Sequence, residues 1–237
     1  MIQELSENNI SFLILFIILT NLFITSIPPI LMQKNRFYAI WIAIIIVIIF
    51  VIQAIFPGFT ELFNLKSSNW IELWRFLTSI FLHGSLVHLL SNLFALILFG
   101  LILEKTIGSN KFMLVFIISG ILANVVAINF YPSSLGASGA IMGIIGALAI
   151  IRPLMGVWVY GMILPMFIAS IIWVIVDAIG IFIPDNIGHI AHLSGIFFGA
   201  IFGIIFRSNY ETRRKRHMIE VPEHILRKWE ALYMGSD

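Results

Sequence analysis

Residues 136–152 read GASGAIMGIIGALAIIR: a serine near the start of an apolar run, glycines at 139, 143 and 146, and an arginine that closes it. The run holds no acid, and small residues at spacing four let helix backbones approach closely. It reads as a short membrane-spanning helix, and the rest of the chain agrees. Hydrophobic types make up 60% of the 237 residues and charged types only 11%, against about 25% in soluble domains. The mean hydropathy is +1.03. So few charges cannot cover a surface in water. A soluble globular domain, a disordered chain and a nucleic-acid binder are excluded, and a polytopic membrane protein remains. With no cysteine there is no disulfide, iron–sulfur cluster or thiolate zinc site.

Outward from this run, the pattern predicts an all-α polytopic fold with seven spans: 10–32, 37–56, 85–103, 111–130, 138–152, 157–183 and 188–206. The fifth and seventh are short. No segment shows strand alternation. The leader MIQELSENN carries Glu4 and Glu7 and no positive charge, so the first span reads as uncleaved with the N-terminus outside. That orientation puts Lys34, Arg36, Lys105, Lys111, Arg152, Arg207, the cluster Arg213, Arg214, Lys215 and Arg216, and Arg227 and Lys228 inside, which is 12 of the 14 basic residues. Only Lys66 and Arg75 fall outside, and the positive-inside rule then fixes the C-terminus as cytoplasmic. The long outer connection, 57–84, holds the aromatic anchors Trp70, Trp74 and Phe76 and is expected to lie partly in the outer leaflet.

Polar groups inside spans are functional candidates. His83, His88 and Asn92 sit around the start of the third span, Ser138 at the start of the fifth, and His189 and His192 at the start of the seventh. Counted from the charged inner ends at Glu104, Arg152 and Arg207, a rise of about 1.5 Å per residue puts His88 at about 24 Å, Asn92 at about 18 Å, Ser138 at about 21 Å and His192 at about 22 Å. Three independent spans thus place their polar groups in one layer below the outer surface. The seventh span carries Gly195, Gly199 and Gly203 at spacing four, matching Gly139 and Gly143 of the fifth. If these faces pack, Ser138 meets His192 just above the glycine seam.

A serine becomes a nucleophile when a base takes its proton, and a neutral histidine supplies one. No carboxylate is placed as a third member; Asp177 reads as pairing elsewhere or ending the sixth helix. The proposal is therefore a two-residue dyad. The backbone N–H of Ser138 at a helix start, with Asn92 and His88 one turn apart on one face, offers donors for an oxyanion. Gly136 permits an unusual backbone angle before the serine, and irregular backbone at this depth implies a water-filled cavity.

Trp74-Arg75, His88-x-x-x-Asn92, Glu104, Gly136-x-Ser138-Gly139 and Ala191-His192-x-x-Gly195-x-x-x-Gly199 recur in this order in the rhomboid intramembrane serine proteases, which the chain resembles over about 37–206. The resemblance implies a six-helix catalytic core at 37–206 that cleaves transmembrane protein substrates near the outer face, among membrane lipids, with no metal, no cofactor and no nucleic acid. It implies Ser138 as nucleophile and His192 as base. His88, Asn92 and the Ser138 backbone would form the oxyanion site. Trp74-Arg75 would shape the outer loop, and the sixth helix would gate substrate entry. Residues 1–36 would add one span before the core, and 207–237 form a basic cytoplasmic tail. Isoleucine richness suits a prokaryotic cell membrane.

Many relatives carry Tyr or Phe four residues after the serine, where this chain has Met142. His189 is an extra imidazole, read as a solvated histidine at a loop end. His83 reads as structural. Two other readings compete. A His-based metal site would use His83, His88, His189 and His192, but no H-E-x-x-H is present. A non-catalytic rhomboid-like protein that binds membrane helices would typically lack the serine or the histidine, and this chain keeps both. The stripe Ile225, Trp229 and Leu232 in the tail is compatible with a helix on the inner leaflet or with a solvated tail.

Overall fold

The computed structural model describes residues 37–159, 161–216 and 223–234, with only the backbone described at 209 and 211–216. The expected first span, 10–32, and the unit 1–36 lie outside these residues. Six apolar helices form the bundle: α1 (Tyr38–Ile55), α4 (Leu86–Ile107), α5 (Ser109–Ala127), α6 (Ser138–Ile151), α7 (Met166–Gly180) and α8 (His189–Arg216). Two short helices, α2 (Phe59–Phe63) and α3 (Arg75–Thr78), lie between α1 and α4, and α9 (Glu223–Tyr233) follows α8. Four of the six are long and apolar enough to cross a membrane; α6 and α7 are shorter.

The glycines decide the packing. A Cβ at Gly195 would strike the Gly139 carbonyl oxygen, one at Gly199 the carbonyl of Gly143, and one at Gly146 the carbonyl of Ile196. The backbones of α6 and α8 therefore run in direct contact, as small residues at spacing four permit. On its other side α6 meets α5: a Cβ at Gly139 would come 2.8 Å from the Ala123 Cβ, and one at Gly120 would come 2.9 Å from the Ala140 Cβ. Ten of the fourteen residues of α6 are buried, so this helix is the axis of the bundle. A helix that is apolar all round belongs at such a place.

At the far end of the bundle, Glu104 holds α1 to α4. The first turn of α1 follows Phe37 and has no side-chain cap of its own. Instead the Glu104 carboxylate accepts from the Tyr38 N–H at 2.8 Å, the Ala39 N–H at 2.9 Å and the Ser109 hydroxyl at 2.6 Å. A carboxylate at a helix N-terminus satisfies orphan N–H groups and opposes the helix dipole. It also explains how an acid can be 1% exposed at this site.

Several expectations need correction. The fold is helical but not wholly α. An antiparallel ladder pairs β1 (Leu65–Lys66) with β2 (Ser133–Ser134), and a hairpin joins β3 (Gly156–Val159) to β4 (Met162–Pro165). The hairpin occupies the first part of the expected span 157–183, which begins as a helix only at Met166. Gly161 has φ +82° beside the turn, Val157 and Val159 are buried while Trp158 is exposed, and Pro165 precedes α7. Hydrophobicity alone had hidden this punctuation. The third span runs four residues past 103, to Ile107. The seventh is not short: α8 has 28 residues, of which His189–Ser208 is the candidate span. The structure describes six of the seven expected spans.

The seam yields a prediction. Gly199→Ala puts a methyl group into the Gly143 backbone, and overpacking of this kind costs about 1–3 kcal/mol. The variant should unfold at lower denaturant concentration than wild type in detergent, whereas Gly58→Ala, where a Cβ meets nothing within 4 Å, strains only the local backbone of a surface turn.

Candidate active site

Ser138 and His192 line one cavity of about 1060 Å³, together with His88, Asn92 and Met142. Ser138 opens α6 and His192 lies in the first turn of α8, so the seam between these helices places both at the same end. The segment before the serine is tightly held. Gly136 has φ +117°, a left-handed value that L side chains rarely adopt. A Cβ there would come 2.6 Å from Cε1 and 2.7 Å from Nε2 of His88. The glycine thus serves twice, once for its backbone angle and once to admit the imidazole. The Gly136 N–H donates to the Ser79 carbonyl at 2.9 Å.

The connection between α1 and α4 braces this segment. Arg75, 6% exposed, donates through Nη1 to the carbonyls of Glu61 and Asn64, each at 2.9 Å, and through Nε to Glu72 at 2.9 Å. Thr78 Oγ1 donates to the Phe63 carbonyl at 2.9 Å. The arginine therefore fastens the loop to itself. Trp74 is exposed beside it with Trp70, Ile71 and Leu73, while Phe76 is buried rather than an outward anchor. The β1–β2 ladder then ties this loop to the residues just before Gly136, with Leu65 opposite Ser134. Asn124 of α5 completes the brace: its Nδ2 donates to the Phe76 carbonyl at 2.9 Å and the Ser79 hydroxyl at 3.0 Å, and its Oδ1 accepts from Ser134 at 2.9 Å. Sequence reading missed Asn124; a buried amide within an apolar span was its only signal.

Ser85 caps α4 by accepting from the His88 N–H at 3.1 Å. Asn92 donates one Nδ2 hydrogen to the His88 carbonyl at 3.0 Å, and an amide nitrogen retains a second. The His83 ring lies 4.9 Å from that of His88 and is fully buried. Burial first, and then repulsion from His88, pushes the His83 imidazole down to about 3, so the ring is neutral. Its backbone is clamped by Gln53, which accepts from the His83 N–H at 3.1 Å and donates to its carbonyl at 3.3 Å. Met142 packs one turn after Ser138, where a Cβ on Gly195 would come 3.1 Å from its own Cβ.

Two readings fail on the other side of the cavity. Asp177 does not end its helix idly: its Oδ1 lies 2.9 Å from Nδ1 of His192 and 2.7 Å from Nδ1 of His189. Nor is His189 a solvated loop-end residue. It is 5% exposed, and its Nε2 lies 3.2 Å from both oxygens of Asp185. A carboxylate does reach the polar layer, from α7.

A family model described as Rhomboid domain matches residues 71–209. The chain belongs to the rhomboid family. As a rhomboid built from apolar helices, it is an integral multi-pass membrane protein. It is 35% identical over 181 residues to "Rhomboid protease GluP" of Bacillus subtilis, covering 70% of this chain and 34% of GluP. It is 30% identical over 157 residues to "RHOMBOID-like protein 6, mitochondrial" of Arabidopsis thaliana, covering 63% of this chain and 50% of that protein. The matched part thus spans half or less of either relative. Another Arabidopsis relative, 37% identical over 79 residues, is named "Inactive RHOMBOID-like protein 8". Family membership suggests intramembrane protease activity, and the residues present must carry the argument for this rhomboid.

Gly136→Ala tests the site's geometry. The added methyl group meets the His88 ring and strains a left-handed backbone, so peptide-bond cleavage should fall at least about tenfold, because small misplacements of catalytic groups cost up to about 10²-fold. Cleavage of a model transmembrane substrate checks it, with thermal unfolding to establish that the variant still folds.

Proposed function

We propose that this rhomboid is an intramembrane serine endopeptidase that hydrolyses peptide bonds of transmembrane proteins near the outer membrane face. The observation that carries the reading is the cavity shared by Ser138 and His192 at the head of the glycine seam. In the first step the Ser138 oxygen attacks the scissile carbonyl carbon. Its proton passes to His192 Nε2, and the carbonyl electrons move onto oxygen. The developing oxyanion is met by the Ser138 N–H, which as a first-turn helix donor has no partner within α6, by the second Nδ2 hydrogen of Asn92, and by His88. His192 then returns the proton to the leaving amine, and a water activated by the same ring releases the acyl group.

The catalytic unit is 37–206, and substrate enters beside α7, whose outward face is apolar through Ile171, Ile175 and Ile179. The positive-inside count supports an N-terminus outside and a cytoplasmic C-terminus. The isoleucine-rich composition favours a prokaryotic cell membrane. In the tail, α9 exposes Ile225, Trp229 and Leu232, which suits contact with inner-leaflet lipids. The chemistry assigned to these residues needs no cofactor, and the partners are the substrate helix and the surrounding lipid.

Purified protein in lipid, mixed with a model transmembrane substrate, tests this. Wild type should cut it, and Ser138→Ala and His192→Ala should not. Asn92→Ala should slow cleavage by up to about 10²-fold while leaving some activity. Cleavage at the normal rate by Ser138→Ala would remove the nucleophile from the account, and an unchanged rate for Asn92→Ala would remove the amide from the oxyanion site.

A further inference from the structure

We infer that Asp177 is a positioning residue for His192, so that this rhomboid works with a Ser138–His192–Asp177 triad whose carboxylate is delivered by α7. The inference rests on the protease reading and deepens it.

Geometry comes first. Asp177 lies on the buried face of α7, which also carries Met166, Ala169, Ser170 and Gly180. An ionised carboxylate left unpaired in such a place is strongly disfavoured. Here one oxygen faces two imidazole nitrogens, Nδ1 of His192 at 2.9 Å and Nδ1 of His189 at 2.7 Å. A carboxylate only accepts, so each of those nitrogens must carry its hydrogen. For His192 this selects the tautomer protonated at Nδ1. Its Nε2 is then a bare lone pair at the opposite end of the ring, which is the form needed to take the Ser138 proton. Without the carboxylate, nothing on the Nδ1 side opposes the other tautomer, in which Nε2 already holds a hydrogen and cannot act as base.

The carboxylate is itself held. His189 presents Nδ1 to Asp177 and Nε2 to Asp185, with 3.2 Å to each Asp185 oxygen. The Ile187 N–H donates to Asp185 at 2.9 Å, and this bond, with His189, keeps the Asp185 carboxyl below the usual carboxylate range. Room for the His189 ring comes from Gly180, where a Cβ would collide with it. Three segments thus meet in one network: α7 supplies Asp177, α8 supplies His189 and His192, and the 181–188 connection supplies Asp185, which holds His189.

The ligating atoms of Asp177, His189 and His192 also lie within 4.8 Å of one another, a spacing that could suit a cation. A metal needs a ring lone pair turned toward it. The Nδ1 to Oδ1 separations of 2.7 and 2.9 Å are those of direct hydrogen bonds, so the hydrogen-bonded reading fits the geometry better.

A purely structural role is the alternative, since the same bonds fasten α7 to α8. Two measurements on the full chain in detergent separate the roles. In wild type labelled with ¹⁵N-histidine, the His192 ring, assigned through its loss in His192→Gln, should carry its hydrogen on Nδ1. A neutral ring carrying it on Nε2 would overturn the inference, and this readout needs no Asp177 variant to fold. In the cleavage assay, Asp177→Asn should lower kcat by at least about tenfold, with about 10⁴-fold as the ceiling for such a swap. KM should stay within about twofold, and Asp177→Glu should recover part of the loss. Wild-type kcat in Asp177→Asn, or a loss confined to KM, would overturn the inference. Ser138→Ala runs alongside. If it still cleaves, the protease reading itself fails. If it is dead while Asp177→Asn runs at full speed, only the role of Asp177 falls.

Discussion

Everything at the active end depends on two helix backbones touching. Gly195 and Gly199 on α8 lie so close to Gly139 and Gly143 on α6 that a side chain at either would enter the opposing main chain, as would one at Gly146 of α6, and one at Gly203 would meet Ala147 and Ile150. In lipid no hydrophobic force drives one apolar helix onto another, so van der Waals contact between small residues must do it. A larger residue would separate the helices by a side-chain width, and Ser138 and His192 would part with them. The seam is therefore what brings Ser138 of one helix and His192 of another to the same cavity.

Proximity alone does not orient the groups, and the structure orients them with hydrogen bonds that close on the protein itself. The Ser138 segment is braced by Ser79, Asn124 and the ladder from Leu65–Lys66, while Arg75 stiffens the loop that supplies these contacts. At the other end Glu104 supplies the cap that α1 lacks. Each answers the same constraint: a backbone N–H or C=O that water cannot reach must find a protein partner. The residues that look idle in a cleavage mechanism are those that keep the reactive loop from relaxing.

Much of this was legible in the sequence. Glycine spacing gave the seam, and the depth count from Glu104, Arg152 and Arg207 put the four polar groups in one layer because helical rise is constant. The role of Asp177 is not legible in the sequence, because linear depth says nothing about which way a residue faces around its helix; only the packing of α7 on α8 turns it inward. The burial of His189 is hidden for the same reason, since it comes from Asp185 and Gly180, which reach it from another segment. The β3–β4 hairpin is as hydrophobic as a span, and only the punctuation of Gly156, Gly161 and Pro165 sets it apart. The ladder of β1 and β2 pairs residues almost seventy positions apart, in stretches too short to show alternation.

The central claim is that Ser138 is activated by His192 inside one water-accessible cavity. Reaction with a fluorophosphonate, followed by mass spectrometry of the labelled peptide, tests it most directly. The account predicts a single adduct on Ser138 that is lost in His192→Ala while that variant remains folded. An adduct elsewhere, or labelling of Ser138 at an undiminished rate without His192, would contradict it.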